Sequence, residues 1–393
     1  MTDLHLVEGG GSVVVRLEDN VGDALSASKL VEAHRLGGGA WEVSPLARVG
    51  VASIAGVTVW IRPKIDIRRI LFLMGYARDP GWRTDLVDLE QVGDLLPVLA
   101  WAFADQAERA VQLGLLQGYV ETDDSLAVLR GRLRDADQLR QRFGLAVPLL
   151  VRYDDYTVDI AENRILRAAT ELLLRLPGVD DATRVRLRGM RLLLAEVAPV
   201  PAGLPPRWRP TRLNARYHVA LWLAELIMSG DAVDHVPGDV RINGFIVDMA
   251  KVFEDFLVAA LIRSLNAIAG VCRPQDPNYL DAGSRIKMAP DLVWYVEGLP
   301  AAVIDAKYKA EKPAGFPNAD IYQMLAYCTA LSLPEGHLVY AKGNEESAAH
   351  QVRNADVTIS THTIDLQLLP AELLAQVDAL ARVVACSSEV IAP

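Results

Sequence analysis

The chain has 393 residues, of which 51% are hydrophobic and 6% aromatic, and its formal net charge is −10. This length supports two or three domains with substantial cores, and no apolar run reaches the ~18–20 residues of a membrane span. The acidic charge excludes a protein that binds nucleic acid over its whole surface.

The N-terminal sequence and the cysteines indicate the compartment. The first residues lack the basic and apolar regions of a signal peptide. The three cysteines (Cys272, Cys328 and Cys386) are scattered and form no C-x-x-C pair, so neither a disulfide framework nor a zinc site is indicated. We therefore expect a cytoplasmic protein with no membrane association.

Residues 1–75 are predicted to be β-rich. Short apolar segments alternate there with Gly-rich or polar breaks, as in V-V-V-R-L, W-E-V, V-G-V-A-S-I and V-T-V-W-I-R-P-K-I. Helical patterns follow from Ile67 to about Leu116. The sequence G-x-x-x-x-G-K-[ST] is absent, so we expect no nucleotide binding through a P-loop.

The middle of the chain is rich in arginine. Residues 130–216 contain 17 Arg and no Lys against 10 Asp and Glu. This excess could hold a polyanion through phosphate contacts, or Arg-rich helices could simply cover a solvated face. Linker signals stand at 199–206, which is Pro-rich, and at 229–239.

A dense group of polar side chains lies within this region. It comprises Tyr153, Asp154, Asp155, Asn163 and Arg164. They could contact DNA. They could equally form a hydrogen-bonded seam between domains, which we favour.

The segment from Arg285 to Tyr327 carries the strongest functional signal. The run from Arg285 to Val296 predicts a strand, residues 297–300 a turn, and A-A-V-I-D-A-K-Y-K a second strand. Asp305 and Lys307 then share one strand face. Pairing about the turn brings Asp291 opposite Ala306, give or take one residue, so a small bulge would place it beside Asp305.

These residue types suit a magnesium-dependent hydrolase. Mg²⁺ needs only one or two carboxylates besides its waters, and a neighbouring lysine can orient the attacking water. The alternative is a surface salt bridge, worth ~0–1 kcal/mol. The apolar run A-A-V-I before Asp305 is typical of a buried strand, where unpaired charges are costly. This favours a functional site.

Two helices are predicted to add residues to this site. In D-I-Y-Q-M-L-A-Y, Gln323 and Tyr327 are four residues apart and share a helix face. Glu254 lies at the edge of the apolar stripe of a helix from Val247 to Ile268. It could be a solvated helix acid or a further carboxylate of the metal site, and we favour the site.

Other hydrolase classes have no motif in the chain. The seven histidines form no H-E-x-x-H, and no serine lies in G-x-S-x-G. A zinc hydrolase and a serine hydrolase are therefore not expected.

The order P-D, hairpin, D-x-K and a helix with Q-x-x-x-Y resembles the PD-(D/E)XK nuclease superfamily. With D-M-A-K-V-F-E-D-F, A-P-D-L-V, V-I-D-A-K-Y-K and D-I-Y-Q-M-L-A-Y in sequence, the chain is similar to the McrC family. Upstream, V-W-I-R-P-K-I-D-I-R-R-I-L-F-L-M-G-Y, L-R-G-R-L and D-I-A-E-N-R-I-L-R-A-A also resemble that family, so the match covers most of the chain.

The resemblance implies the nuclease subunit of a McrBC-type modification-dependent restriction system. Its expected partner is an AAA+ GTPase ring, McrB-like, which recognises methylated DNA and whose GTP hydrolysis the subunit stimulates. By position, Asp291 and Asp305 would bind Mg²⁺, with Glu254 assisting. Lys307 would position the attacking water. Gln323 and Tyr327 would support the site or touch the phosphate.

The predicted fold class is α/β, an α+β multidomain chain. We expect a β-rich partner-docking domain with trailing helices at 1–110, a helical Arg-rich linking region at 111–240, and a PD-(D/E)XK restriction-endonuclease-like domain at 241–393. Two alternatives stay open. One is a non-cleaving bridging or activating subunit of an AAA+ NTPase, and the other is a self-sufficient structure-specific DNA nuclease.

Overall fold

A computed structural model describes residues 2–78, 94–143, 147–201, 206–230, 242–308, 318–341 and 347–389. By its internal contacts the chain forms two compact units, one comprising Met1–Leu95 with Asp231–Pro393 and the other Leu96–Gly230. The division at 110 and 240 stays a prediction. Most of the two predicted linkers, at 202–205 and 231–239, lies outside the described residues. The α+β multidomain class is confirmed.

The N-terminal part is built mainly of strands, as predicted. Its elements are β1 (Thr2–Val7), β2 (Val13–Arg16), α1 (Asp19–Ala27), β3 (Val31–Gly37), β4 (Ala40–Pro45), β5 (Arg48–Ile54), β6 (Val57–Arg62) and α2 (Ile67–Arg78). Ala55 and Gly56 both have positive φ, which gives the tight hairpin turn that joins β5 to β6. Helix α1 was not predicted from the sequence.

The middle unit combines helices with a small antiparallel sheet. It contains α3 (Leu95–Val111), β7 (Gly118–Leu126), β8 (Arg132–Leu133), α4 (Asp135–Arg142), β9 (Leu149–Thr157), α5 (Ala161–Arg175), α6 (Asp181–Leu193), a 3₁₀ turn (Ala215–Tyr217) and α7 (His218–Ser229). The sheet has the order β7-β9-β8. Strand β9 ends just before Asp159, and helix α5 begins two residues after it.

Many arginines of this unit are engaged within it. Arg186 forms a bidentate pair with Glu108, and Arg164 a bidentate pair with Asp159 at 2.7 Å. Asn163 is fully buried and donates to the carbonyl oxygens of Leu116 and Val158. Asn163 and Arg164, two members of the polar group noted from the sequence, are therefore engaged within this unit.

The C-terminal part holds the largest sheet. Its elements are β10 (Ile242–Asp248), α8 (Met249–Ile268), β11 (Val271–Pro274), β12 (Asn278–Tyr279), β13 (Lys287–Met288), β14 (Leu292–Val296), β15 (Leu299–Lys307), α9 (Asn318–Leu331), β16 (Glu335–Ala341), β17 (Ala348–Gln351), β18 (Thr358–Ile364) and α10 (Pro370–Glu389). The sheet order is β11-β14-β15-β16-β18-β17, with β15, β16 and β18 parallel.

The single strand predicted from Arg285 to Val296 is wrong in extent. The structure divides it into β13, which pairs with β12, and β14, which joins the large sheet. Pro290 lies between them and has no amide hydrogen to give to a ladder. Asp291 is the last residue before β14, where the chain enters the large sheet.

Helix α9 packs on one face of the large sheet. Met324 and Tyr327 of α9 share a buried apolar cluster with Val303, Leu338 and Ile359 of the strands. Because side chains alternate along a strand, Asp305 and Lys307 lie on the same face of β15 as Val303. The face covered by α9 therefore carries the predicted catalytic side chains.

The N-terminal sheet, of order β1-β6-β5-β10, holds the start of helix α8. Strand β10 pairs antiparallel with β5 and runs directly into α8. Asp248 caps the helix by accepting hydrogen bonds from the amides of Ala250 and Lys251, which a short acidic side chain at this position does well. The pairing of β5 with β10 thus fixes the helix that carries Glu254.

We expect Gly50→Ala to loosen this connection. Gly50 has φ +134°, and an added Cβ would lie 2.0 Å from the carbonyl oxygen of Phe245 on β10. The substitution should lower the free energy of unfolding by about 2 kcal/mol or more. Urea-induced unfolding measures this change.

The matched control is Gly189→Ala in helix α6, where an added Cβ meets no atom within 4 Å. Alanine is the better helix former, so this variant should gain ~0.5–1 kcal/mol. Equal stability of the two variants would contradict the close approach of β5 and β10.

Candidate active site

A one-residue bulge aligns the two key carboxylates. Glu297 and Gly298 both have positive φ and form the tight turn between β14 and β15. The register then shifts at Trp294 and Tyr295, so that Leu292 pairs with Ile304. If the same register is extended by one residue beyond Leu292, Asp291 lies opposite Asp305. The sequence analysis expected Ala306 at this position, with Asp305 if a small bulge was present.

Asp305 and Lys307 form a buried ion pair. The Asp305 side chain is 3% exposed and the Lys307 side chain 17%. The Lys307 Nζ contacts Asp305 Oδ2 and also donates to Gln323 Oε1 at 2.9 Å. Gln323 Nε2 in turn donates to the hydroxyl oxygen of Tyr327 at 2.7 Å. Helix α9 therefore holds the Lys307 ammonium through Gln323, which Tyr327 contacts from the same helix face.

Gln275 connects Asp291 with Glu254. Its Nε2 lies 2.9 Å from Glu254 Oε1 and 3.0 Å from Asp291 Oδ1. Asp291 Oδ2 accepts the backbone amide of Ala306 at 2.8 Å. Glu254 also pairs with Lys251 at 3.1 Å. The structure thus places Glu254 close to Asp291, with Gln275 in contact with both.

Two residues near the site were missed by the sequence analysis. Gln275 lies in a turn with φ +48°, and no local pattern marks it as functional. Asp320 is 4% exposed, and its Oδ2 accepts the hydroxyl of Tyr340 at 3.1 Å. The sequence could have indicated Asp320, because it precedes Gln323 by three residues and so lies on the same face of α9.

Burial and like charges raise the pKa of several of these groups. Burial, together with the charge of Asp305, raises the pKa of Asp291 to about 6. Burial also raises the pKa of Glu254, and the Asp291 charge adds to this. Burial and the negative charges of Asp305 and Asp291 raise the pKa of Tyr327 to about 12. The site therefore has more negative charge than its surroundings neutralise.

Asp305 shows the same imbalance despite its lysine. Burial raises its pKa, the Lys307 ammonium opposes that effect, and the charges of Asp320 and Glu254 raise it further. An added cation between these carboxylates would relieve the repulsion. Such a group of incompletely neutralised carboxylates favours the binding of a cation.

The donor set fits Mg²⁺ supplied with water ligands. Among the residues that the structure describes, no group of three or more His, Cys, Asp or Glu side chains is arranged as a complete metal cage. Asp291 and Asp305 lie side by side as two oxygen donors, and Mg²⁺ is commonly held by one or two carboxylates plus waters. A zinc site, which needs three or four protein ligands, does not fit.

No helix in the described ranges has the length and apolarity to cross a membrane.

Comparison with known proteins places the chain in a family. Residues 45–341 match the model of the McrBC 5-methylcytosine restriction system component. No curated protein matches. A chain in the refined half-complex from the tetradecameric assembly of Thermococcus gammatolerans McrB AAA+ hexamers with bound McrC is 19% identical with a TM-score of 0.62, over 97% of this chain and 100% of that chain.

A chain of the T. gammatolerans McrBC complex determined by cryo-EM is 22% identical with a TM-score of 0.44, over 67% of this chain and 88% of that one. The family model covers well over half of the sequence. The chain belongs to the McrBC 5-methylcytosine restriction system component family.

Proposed function

We propose that this chain is a Mg²⁺-dependent DNA endonuclease subunit with a PD-(D/E)XK site. The observation that carries the proposal is the paired carboxylates of Asp291 and Asp305, aligned by the bulge, with Lys307 held beside them by Gln323. Such a set suits phosphodiester hydrolysis, in which negative charge develops on phosphoryl oxygens. Membership of a restriction-system family agrees with this reading.

Asp291 and Asp305 would hold the metal. Glu254 would assist, since Gln275 contacts both Glu254 and Asp291. When bound, Mg²⁺ would lower the pKa of a water and stabilise charge on the phosphoryl oxygen. Asp291 keeps a fixed orientation because the Ala306 amide and the Gln275 side chain each bind one of its oxygens. The protein therefore supplies preorganised oxygen ligands at this edge of the sheet.

Lys307 would orient the attacking water and offset negative charge. Its ammonium is restrained from two sides, by Asp305 and by Gln323, so little conformational freedom is lost when substrate binds. Tyr327 fixes Gln323 in turn. These two α9 residues act as positioning residues for the lysine, and not as groups that touch the reacting atoms.

The proposed partner is an AAA+ GTPase ring of the McrB type, which delivers methylated DNA and whose GTP hydrolysis this chain stimulates. Two observations support it. The fold resembles a chain solved with McrB AAA+ hexamers and bound McrC. The net charge of −10 opposes tight DNA binding by the isolated chain at physiological salt, where local phosphate contacts are weakened, so delivery by a partner would supply the substrate.

Asp305→Ala should abolish cutting without loss of partner binding. With the partner, GTP and Mg²⁺ present, cleavage of methylated plasmid should fall by about three orders of magnitude or more, because a metal ligand and the anchor of Lys307 are both lost. Stimulation of GTP hydrolysis should be unchanged. The matched control Asp356→Ala removes an exposed acid from the same unit and should cut normally.

The same assay distinguishes the alternatives. Cutting by Asp305→Ala at the parental rate would show that the assigned site is wrong. Cutting by the wild-type chain alone would indicate a self-sufficient nuclease. Stimulation of GTP hydrolysis with no cutting in any mixture would indicate a non-cleaving activator.

Cleavage at subsaturating Mg²⁺ should fall as the pH is lowered through about 6. Only ionised Asp291 can bind the metal, and its pKa is raised to about 6 by burial and by Asp305. More Mg²⁺ competes better with the proton, so the midpoint should move to lower pH as Mg²⁺ increases. Single-turnover rates at two Mg²⁺ concentrations measure this, and a midpoint independent of Mg²⁺ would count against Asp291 as a ligand.

Asp291→Asn should stabilise the metal-free protein at pH 8. Because the pKa of Asp291 is raised on folding, its titration lowers the free energy of unfolding progressively as the pH rises from the ordinary carboxyl pKa to about 6. The full cost is present above about 6 and is absent well below the ordinary pKa. The midpoint of thermal unfolding in EDTA should therefore rise by roughly 2 °C or more at pH 8 and hardly change at pH 4.

Added Mg²⁺ should stabilise the wild-type protein at pH 8 but not Asp291→Asn, since a ligand stabilises only the state that binds it. A rise of the unfolding midpoint with Mg²⁺ that is as large in Asp291→Asn as in the wild-type protein would contradict Asp291 as a metal ligand.

A further inference from the structure

A small hairpin projects from the candidate active site and returns to it. It comprises residues 276–288, in which β12 pairs antiparallel with β13. The residue before it is Gln275, which contacts both Glu254 and Asp291. The residue three positions after it is Asp291 itself. We call this segment the site hairpin.

The tip of the site hairpin is held in a defined shape. Asp281 Oδ1 accepts the backbone amides of Arg285 and Ile286 at 2.8 and 2.7 Å. The amide of Leu280 donates to the carbonyl of Ile286 at 2.9 Å, and that of Ser284 to the carbonyl of Asp281 at 3.0 Å. These bonds lower the pKa of Asp281. The negative charge of Asp281 is therefore compensated by backbone amides within the turn.

The base of the site hairpin is tied to the large sheet. Asp276 Oδ2 accepts the hydroxyl of Tyr295 at 2.5 Å and the side-chain amide of Asn278 at 3.1 Å. The amide of Gln275 donates to the carbonyl of Asp291 at 3.2 Å. Both acids of the hairpin are thus turned toward internal donors, which leaves its outer surface to other side chains.

That outer surface is basic and amphipathic. Arg285 and Lys287 are both exposed, and neither forms an ion pair with another residue in the part of the chain that the structure describes. Tyr279, which pairs across the strands with Lys287, is 46% exposed, and Ile286 between the two cations is 54% exposed. Unpaired cations beside exposed apolar groups suit contact with a phosphate backbone and the sugars next to it.

The distance along the chain sets the reach of these cations. Lys287 is four residues from Asp291 and Arg285 six, which bounds their Cα separations from Asp291 at about 14 and 22 Å. Duplex DNA rises about 3.4 Å per base pair. Both cations therefore lie within about four to six base pairs of a phosphate held at Asp291.

We infer that the site hairpin binds the backbone of duplex DNA beside the scissile phosphate, through Arg285 and Lys287. The choice of DNA as ligand rests on the proposed nuclease function. Clustered carboxylates repel a polyanion unless positive charge lies near. The two cations would reduce this repulsion between the acidic site and DNA. The hairpin places that charge four and six residues along the chain from Asp291, in a shape that its own hydrogen bonds hold.

The test is binding of the full chain to a short duplex oligonucleotide in EDTA, followed by fluorescence anisotropy at several salt concentrations. EDTA makes the measurement independent of cutting. The double variant Arg285→Gln, Lys287→Gln should bind more weakly, and the slope of log affinity against log salt should become shallower by about two, one for each lost phosphate contact.

The control is the double variant Arg353→Gln, Arg382→Gln, which makes the same charge change. Both residues are exposed, Arg353 following the edge strand β17 and Arg382 in helix α10. Its slope should match the wild-type slope. A third variant, Asp281→Ala, keeps both cations but loses the turn, so it should weaken binding with little change of slope.

An unchanged slope for Arg285→Gln, Lys287→Gln would overturn the inference, as would equal losses in the control. The absence of measurable wild-type binding at low salt would also contradict it. If that variant kept its DNA binding but lost association with the AAA+ partner, the hairpin would be a protein contact instead. Failure of the chain to cut DNA, with the slope still reduced by the variant, would overturn the nuclease proposal and leave the hairpin's DNA contact standing.

Discussion

The proximity of half-buried Asp291 to buried Asp305 is the constraint on which the site depends. Two carboxylates partly or wholly removed from water repel each other, and each stays charged only if a cation or hydrogen-bond donors compensate it. Lys307 and the Ala306 amide supply part of that compensation. The raised pKa values of both acids show that it is incomplete. A fold that keeps such a pair stores unfavourable charge interaction that a bound cation would release.

The surrounding elements hold this arrangement in place. The bulge in the β14–β15 hairpin sets which residue of β15 faces Asp291. Helix α9 fixes the lysine through Gln323 and Tyr327. Strand β10 of the N-terminal sheet starts α8 and so fixes Glu254. Strand β5, which is far from α8 in sequence, therefore helps to position a carboxylate of the site.

Local patterns made much of the site predictable. Asp305 and Lys307 share a face because strands have a period of two, and Gln323 and Tyr327 share one because they are four apart on a helix. The residue of β15 opposite Asp291 was predicted only to within one position, because the bulge depends on packing that a hairpin sequence pattern does not reveal. Gln275 could not be found, because its role depends on a turn that meets both Glu254 and Asp291 only in three dimensions. The pairing of β10 with β5 was likewise invisible, since the two strands are far apart in the chain.

Direct metal binding tests the central claim best. Mn²⁺, which shares the oxygen-ligand preference of Mg²⁺, can be titrated into the full chain and followed by electron paramagnetic resonance. The account predicts saturable binding to the wild-type protein that is lost in both Asp291→Asn and Asp305→Asn, with the fold retained in each. Binding that is unchanged in both variants, or no binding to the wild-type protein at neutral pH, would contradict the assignment of these carboxylates as a metal site.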